Sequence, residues 1–178
     1  MAERSVKYAR IERERRFLVR AMPPDLNLDL GFRDIRDRYI DGTNLRLRQV
    51  RGPDGAASQF KFTQKLPTNS SLETQITNIY IGVREFELLE QLPGRALEKL
   101  RYNYSCQGMG FAIDQFLGSL GGLILSEVER SSLGEPKAIA IPAFAHCDVT
   151  DNPAFTGDKL AESEADDILA LVHRLLAA

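Results

Sequence analysis

Apolar and polar residues alternate with a period of two through most of this chain, and only two stretches switch to a helical period. The clearest alternation is Ile11-Glu12-Arg13-Glu14-Arg15-Arg16-Phe17-Leu18-Val19, a predicted strand. Glu12, Glu14 and Arg16 share one face; Ile11, Arg13, Arg15 and Phe17 share the other. Same-face neighbours on a strand stand about 6–7 Å apart, so two carboxylates and a cation line one surface. After the break at Ala21-Met22-Pro23-Pro24-Asp25, residues 26–30 form a short helical turn or a loop. A hairpin is expected over 34–50, turning at Asp41-Gly42-Thr43. In its second arm Leu45, Leu47 and Gln49 oppose Asn44, Arg46, Arg48 and Val50. In the next strand, 58–66, Phe60, Phe62 and Gln64 oppose Lys61, Thr63 and Lys65, and 72–81 is rich in β-branched residues.

Val83, Phe86, Leu89 and Leu92 recur at helical spacing before a Pro93-Gly94 stop. Strands resume at 96–104, with Lys99 and Arg101 on one face, and at 109–117, with Ala112, Asp114 and Phe116 together. The strand 123–130 places Leu125, Glu127 and Glu129 together, mirroring the acid pair of the first strand. A final helix carries the apolar stripe Ile168, Leu171, Val172, Leu175 and Leu176, with Ser163 as its cap and Asp166 at the capping-box position.

Seven or eight strands, mostly joined as hairpins, with only two convincing helices, predict a mainly β (α+β) fold. The architecture expected is a closed eight-stranded antiparallel barrel with external helices, the C-terminal one included. The opposite faces carry Leu45, Leu47, Phe60, Phe62, Leu97, Leu100, Ile113 and Val128, which need cover. If helices and loops cover them, the charged faces line the interior, and a barrel of about eight strands has room for one small ligand. That interior then holds Arg16, Arg46, Arg48, Lys61, Lys65, Lys99 and Arg101 against Glu12, Glu14, Glu73, Asp114, Glu127 and Glu129. Burying such charges without partners costs several kcal/mol per ion. Basic residues on the middle strands, with paired acids on the first and last, suit a polyanion together with a divalent cation held by oxygen.

Length and charge narrow the picture further. With 178 residues and 43% hydrophobic content, one domain spanning 1–178 is expected. Lys plus Arg number 23 against 25 Asp plus Glu, so the net charge of −2 gives no general attraction to nucleic acid or an anionic membrane. No apolar run suggests a signal peptide or span, and a cytoplasmic protein is the expectation. Cys106 and Cys147 are far apart and without C-x-x-C spacing, so free thiols are expected. His146 and His173 are too scattered for a histidine metal site.

The motifs also carry a resemblance. Glu12-x-Glu14-x-Arg16-Phe17-Leu18-Val19 resembles the E-x-E-x-K opening of the CYTH superfamily, the triphosphate tunnel metalloenzymes. The similarity continues in order through Leu45-Arg46-Leu47-Arg48, Phe62-Thr63-Gln64-Lys65, Leu97-Glu98-Lys99-Leu100-Arg101-Tyr102, Ala112-Ile113-Asp114, Leu125-Ser126-Glu127-Val128-Glu129 and Asp148-Val149-Thr150-Asp151-Asn152-Pro153. It implies an eight-stranded tunnel whose members hydrolyse tripolyphosphate or thiamine triphosphate, or cyclise ATP, with Mg²⁺ or Mn²⁺. By position, Glu12, Glu14, Glu127 and Glu129 resemble the metal-side carboxylates, with Asp114 and Glu73 as further acids. Arg46, Arg48, Lys65, Lys99 and Arg101 resemble the triphosphate-binding cations, and Lys61 joins them by strand parity.

Two positions depart from the pattern. Arg16 stands where the family has lysine; it keeps the charge but does not readily donate a proton. The fourth strand, often R-x-E-x-E, reads Glu73-Thr74-Gln75-Ile76-Thr77 and retains one carboxylate. The activity expected is metal-dependent hydrolysis of a linear triphosphate, with tripolyphosphate ahead of thiamine triphosphate or ATP. A class IV-type adenylyl cyclase and a non-catalytic polyphosphate- or nucleotide-binding module are the alternatives. Oligomeric state, a homodimer included, is left open.

Overall fold

A computed structural model describes residues 8–129 and 139–178. The strands are β1 (Arg10–Leu18), β2 (Arg33–Ile40), β3 (Leu45–Arg51), β4 (Ala57–Pro67), β5 (Glu73–Tyr80), β6 (Gly94–Cys106), β7 (Met109–Phe116), β8 (Ile124–Glu129) and the two-residue β9 (Cys147–Asp148). The helices are α1 (Val83–Leu89), α2 (Gly157–Glu162) and α3 (Ala165–Ala177). Short 3₁₀ turns occupy Leu28–Leu30, Gly118–Leu120 and Pro153–Phe155. The end of the expected 123–130 strand and the polar loop after it fall outside the described residues.

Every strand pairing is antiparallel, in the order β5-β4-β3-β2-β6-β7-β8-β1. β1 closes the ring by working in two halves. Arg10 to Arg13 pair with β5, and Glu14 to Leu18 pair with β8. Closure leaves no free sheet edge among these eight strands. β9 adds to the far end of β1, opposite Phe17 and Leu18. The β6–β7 connection is a two-residue turn, Gln107-Gly108, with both φ values positive (52° and 76°), which matches the twist of a hairpin.

Alternation sorts side chains in and out. On the outer face Phe17, Tyr102, Ile113 and Val128 form one buried cluster, covered by Met22, Leu26, Phe32, Ile139 and Phe144 from the two flanking segments. On the opposite side of the barrel α1 sends Phe86 onto Phe60 of β4, ring centroids 4.7 Å apart. The charged interior expected from parity is therefore possible because the apolar outside is roofed.

One end of the interior is apolar. Leu18, Leu97, Phe116 and Leu125 share the inward parity of Arg16, Lys99, Asp114 and Glu127, and all four are buried. They pack with Phe155, Leu160, Ile168 and Val172, so the C-terminal turn and helices plug that end. Leu97 belongs to this plug, not to the outer apolar face expected for it, since it lies two residues from inward Lys99. The structure is thus a barrel with a floor. The helix cap also differs: Glu164, not Ser163, is the N-cap of α3 and makes no side-chain cap hydrogen bond, because Ser163 ends the unforeseen helix α2.

Candidate active site

The unplugged end opens into a cavity of about 850 Å³. Its lining includes Arg10, Glu12 and Glu14 of β1, Arg33 of β2, Arg46 and Arg48 of β3, Lys61 of β4, Arg101 of β6, and Glu127 and Glu129 of β8. Each pair of like residues lies two apart on one strand, so strand geometry places both on the lumen side. Lys99, Arg16 and Asp114 have the same parity and lie deeper, toward the floor, while Lys65 shares that parity and stays partly exposed beside Glu12.

The acids gather on β1 and β8. Register sets Glu14 opposite Glu129 and Arg16 opposite Glu127, and Arg16 lies 3.6 Å from Glu14 and 3.5 Å from Glu127. Burial, followed by the like charge of Glu127, pushes the Glu14 carboxyl up from its ordinary value. Burial would push Glu127 up too, but Arg101, Lys99 and Arg16 hold it well below the usual carboxylate range. Glu12 meets Lys65 at 3.4 Å, and Glu129, at the mouth, lies 3.6 Å from Arg10.

Facing this acid wall is a basic one that lacks sufficient counter-charge. Arg33, Lys61 and Lys99 are each driven below their ordinary values, first by burial and next by neighbouring arginines: Arg101 for Arg33 and Lys99, Arg48 and Arg46 for Lys61. The Arg46 Nε is buried without a hydrogen bond. Such a wall is a preformed receptor for an anion.

Two sequence assignments change. Glu73 is on the outer face: register sets it opposite Arg13, which it meets at 2.8 Å, while Glu12 is opposite Thr74. Thr74, Ile76 and Asn78 are the inward residues of β5, so this strand gives the lumen no carboxylate. Asp114 is inward but has no exposure, and its oxygens accept from Lys99 at 2.5 Å and from the Arg101 Nε and Nη2 at 2.6 and 2.5 Å. Both of its oxygens are engaged by these cations. Sequence reasoning also missed Arg10, Arg33 and Asp37. Asp37 is buried and accepts both Nε and Nη2 of Arg48, at 2.6 and 2.7 Å. The alternation Arg33, Ile35, Asp37, Tyr39 on β2 was the available signal.

Among the described residues no group of three or more His, Cys, Asp or Glu side chains could hold a metal ion unaided. Mg²⁺ is commonly held by one or two carboxylates, with substrate phosphates and water completing its shell. The hard oxygens of adjacent Glu14 and Glu127, flanked by Glu12 and Glu129, fit that requirement. No helix among the described residues is long and apolar enough to cross a membrane.

No protein-family model matches the chain. Over 78 residues, 43% of its length, it is 31% identical to the inorganic triphosphatase of Acetivibrio thermocellus, and the match spans 49% of that protein. The crystal structure of the inorganic triphosphatase NE1496 superposes with a TM-score of 0.56 at 28% identity, covering 85% of this chain and 95% of that one. A second crystal structure, described as hypothetical protein NE1496, gives 0.57 at 29% identity, covering 86% and 99%. Together with the closed barrel and the ordered lumen motifs, these likenesses bear out the resemblance to the CYTH superfamily.

Proposed function

We propose that this barrel hydrolyses a linear triphosphate, inorganic tripolyphosphate first, with Mg²⁺ or Mn²⁺. The observation that carries the reading is one blind-ended cavity with an under-neutralised basic wall facing a carboxylate wall. Arg46, Arg48, Lys61, Lys65, Lys99 and Arg101 bind and extend the phosphate chain, supported at the mouth by Arg10 and Arg33. Glu12, Glu14, Glu127 and Glu129 would hold the cation, which when bound neutralises phosphate oxygens and acidifies a water. Arg16 ties Glu14 to Glu127 and keeps the two carboxylates in register. Water attacks the terminal phosphorus, the bond to the bridging oxygen breaks, and pyrophosphate leaves. Positioning and charge neutralisation provide most of the acceleration in such a transfer.

A second reading gives the far phosphate an organic group, as in thiamine triphosphate or ATP. It is favoured by the mixed lining of the mouth, where Asn27, Leu30, Tyr104, Ser105 and Phe111 border the cavity.

Phosphate release from tripolyphosphate, thiamine triphosphate and ATP, each with Mg²⁺ and Mn²⁺, tests both readings. Glu129→Gln alters an exposed side chain and should lower kcat at least 100-fold with the melting temperature nearly unchanged. Lys61→Ala should raise KM about tenfold with a smaller effect on kcat, as loss of a substrate-binding charge requires. Tight binding without turnover would select a binding module, and cyclic AMP with pyrophosphate a cyclase.

A further inference from the structure

Asp37 is a buried carboxylate that the reaction scheme does not use. It sits on β2 beneath the basic wall, and β2 pairs directly with β3, with Asp37 opposite Arg48 across the ladder. Its two oxygens accept from the Arg48 Nε at 2.6 Å and Nη2 at 2.7 Å, a two-point fork that fixes the guanidinium plane as well as its position. Arg46 lies alongside, its Nε 3.6 Å from the same carboxylate and its Nη2 donating only a long 3.4 Å bond to Thr63. With Nε and one N–H of Nη2 taken, Arg48 retains Nη1 and the second N–H of Nη2 for whatever occupies the lumen.

We propose that Asp37 is a positioning residue for phosphate binding, acting through Arg48 by clamping its guanidinium so that one edge faces the triphosphate. The inference rests on the triphosphate reading of this cavity. It accounts for a cost the fold otherwise bears for nothing, because a buried carboxylate among arginines is no more stabilising than well-packed apolar residues. It also explains why arginine is needed at position 48: lysine offers a single point of charge and cannot be held in a plane by a carboxylate.

The test is a double-mutant cycle on tripolyphosphate binding, followed calorimetrically in chelator so that no turnover intervenes. Asp37→Asn keeps the volume but replaces one acceptor oxygen by an N–H donor, and should weaken Kd about tenfold in the wild-type background. In an Arg48→Ala background the same change should alter Kd less than twofold, because the residue it positions is gone. That double variant should also melt higher than Arg48→Ala alone, since the neutral amide removes a buried anion that has lost its two-point partner and keeps only the 3.6 Å approach of Arg46. A purely structural role would lower the melting temperature in Asp37→Asn while leaving Kd unchanged, and would overturn the proposal. Equal Kd losses in both backgrounds would overturn it too, as would tighter binding in Asp37→Asn, which would make the carboxylate a competitor of phosphate. If the wild-type protein binds no tripolyphosphate, the triphosphate reading and this inference fail together; normal wild-type binding with an unresponsive Asp37 defeats the inference alone.

Discussion

At the scale of single residues, the lumen is governed by how each charge is compensated. Burial raises the free energy of every ion, and the carboxylates enclosed by arginines, with their partners Arg48 and Arg101, escape that penalty. Asp37 is the extreme case: burial works to raise it, yet Arg48 and Arg46 hold it well below the ordinary carboxylate range. A carboxyl depressed in the folded state stabilises the fold fully above its unfolded value of about 3.9 and loses that contribution as pH falls through the folded value. The expected outcome is a steep decline of unfolding free energy below about pH 4. In Asp37→Asn the slope should be shallower by up to one proton over that window, as urea titrations at pH 5, 4 and 3 would measure. An identical slope would mean that Asp37 is not the ionised partner of Arg48. Strand parity made Glu12, Glu14, Arg46, Arg48, Lys99, Arg101, Glu127 and Glu129 legible from sequence, because each pair repeats at a spacing of two. Asp37 sits in an alternation with Arg33, Ile35 and Tyr39, but that signal was weak, because an isolated acid between Arg36 and Arg38 reads as an ordinary wet stretch until its neighbours across the ladder are known. Glu73 failed for a related reason: parity within β5 cannot say which face is inward, and only the register with β1 decides it.

At the scale of elements, the strands and the final helix were readable, and α2, which completes the plug with α3, was not. Alternation over six to thirteen residues repeats at least three times and marks a strand clearly, but the six residues of α2 make fewer than two helical turns, too few for a helical period to appear. Its placement is nonetheless specified tightly by one small residue. Gly157 opens α2 against the side chain of Tyr39, and a Cβ there would clash with the Tyr39 hydroxyl. Burial and nearby Asp37 push that hydroxyl up to about 12, so it remains a neutral donor at the base of the basic wall. Gly157→Ala should therefore destabilise the protein by about 1–3 kcal/mol, the usual cost of overpacking. In a Tyr39→Phe background the cost should fall by at least half, because the closest clashing atom has been removed. Urea unfolding of the four proteins of that cycle measures the coupling; additive losses would show that α2 does not bear on Tyr39.

At the scale of the whole molecule, what matters is that, among the described residues, an apolar plug closes one end of the barrel. Inward Leu18, Leu97, Phe116 and Leu125 meet Phe155, Leu160 and Ile168, and this dry layer separates the charged lumen from the surface beyond α2. A dry layer is impassable to a polyanion, because a phosphate chain would have to shed its hydration among side chains that offer no hydrogen bond. On the proposed triphosphate reading, substrate and products share the entrance at the open end, and the terminal phosphate of a linear chain is the end that reaches Lys99. Blocking tests this directly. In a background without Cys106 and Cys147, Gln59→Cys places a thiol on the cavity lining and Asp158→Cys places one on exposed α2 at the plugged end. A bulky maleimide on the Gln59→Cys variant should lower triphosphate hydrolysis at least tenfold, while the same reagent on the Asp158→Cys variant should change it less than twofold. Comparable inhibition from both positions would mean that the plugged end conducts substrate, and the lumen would then be a through-tunnel whose apolar floor opens during turnover.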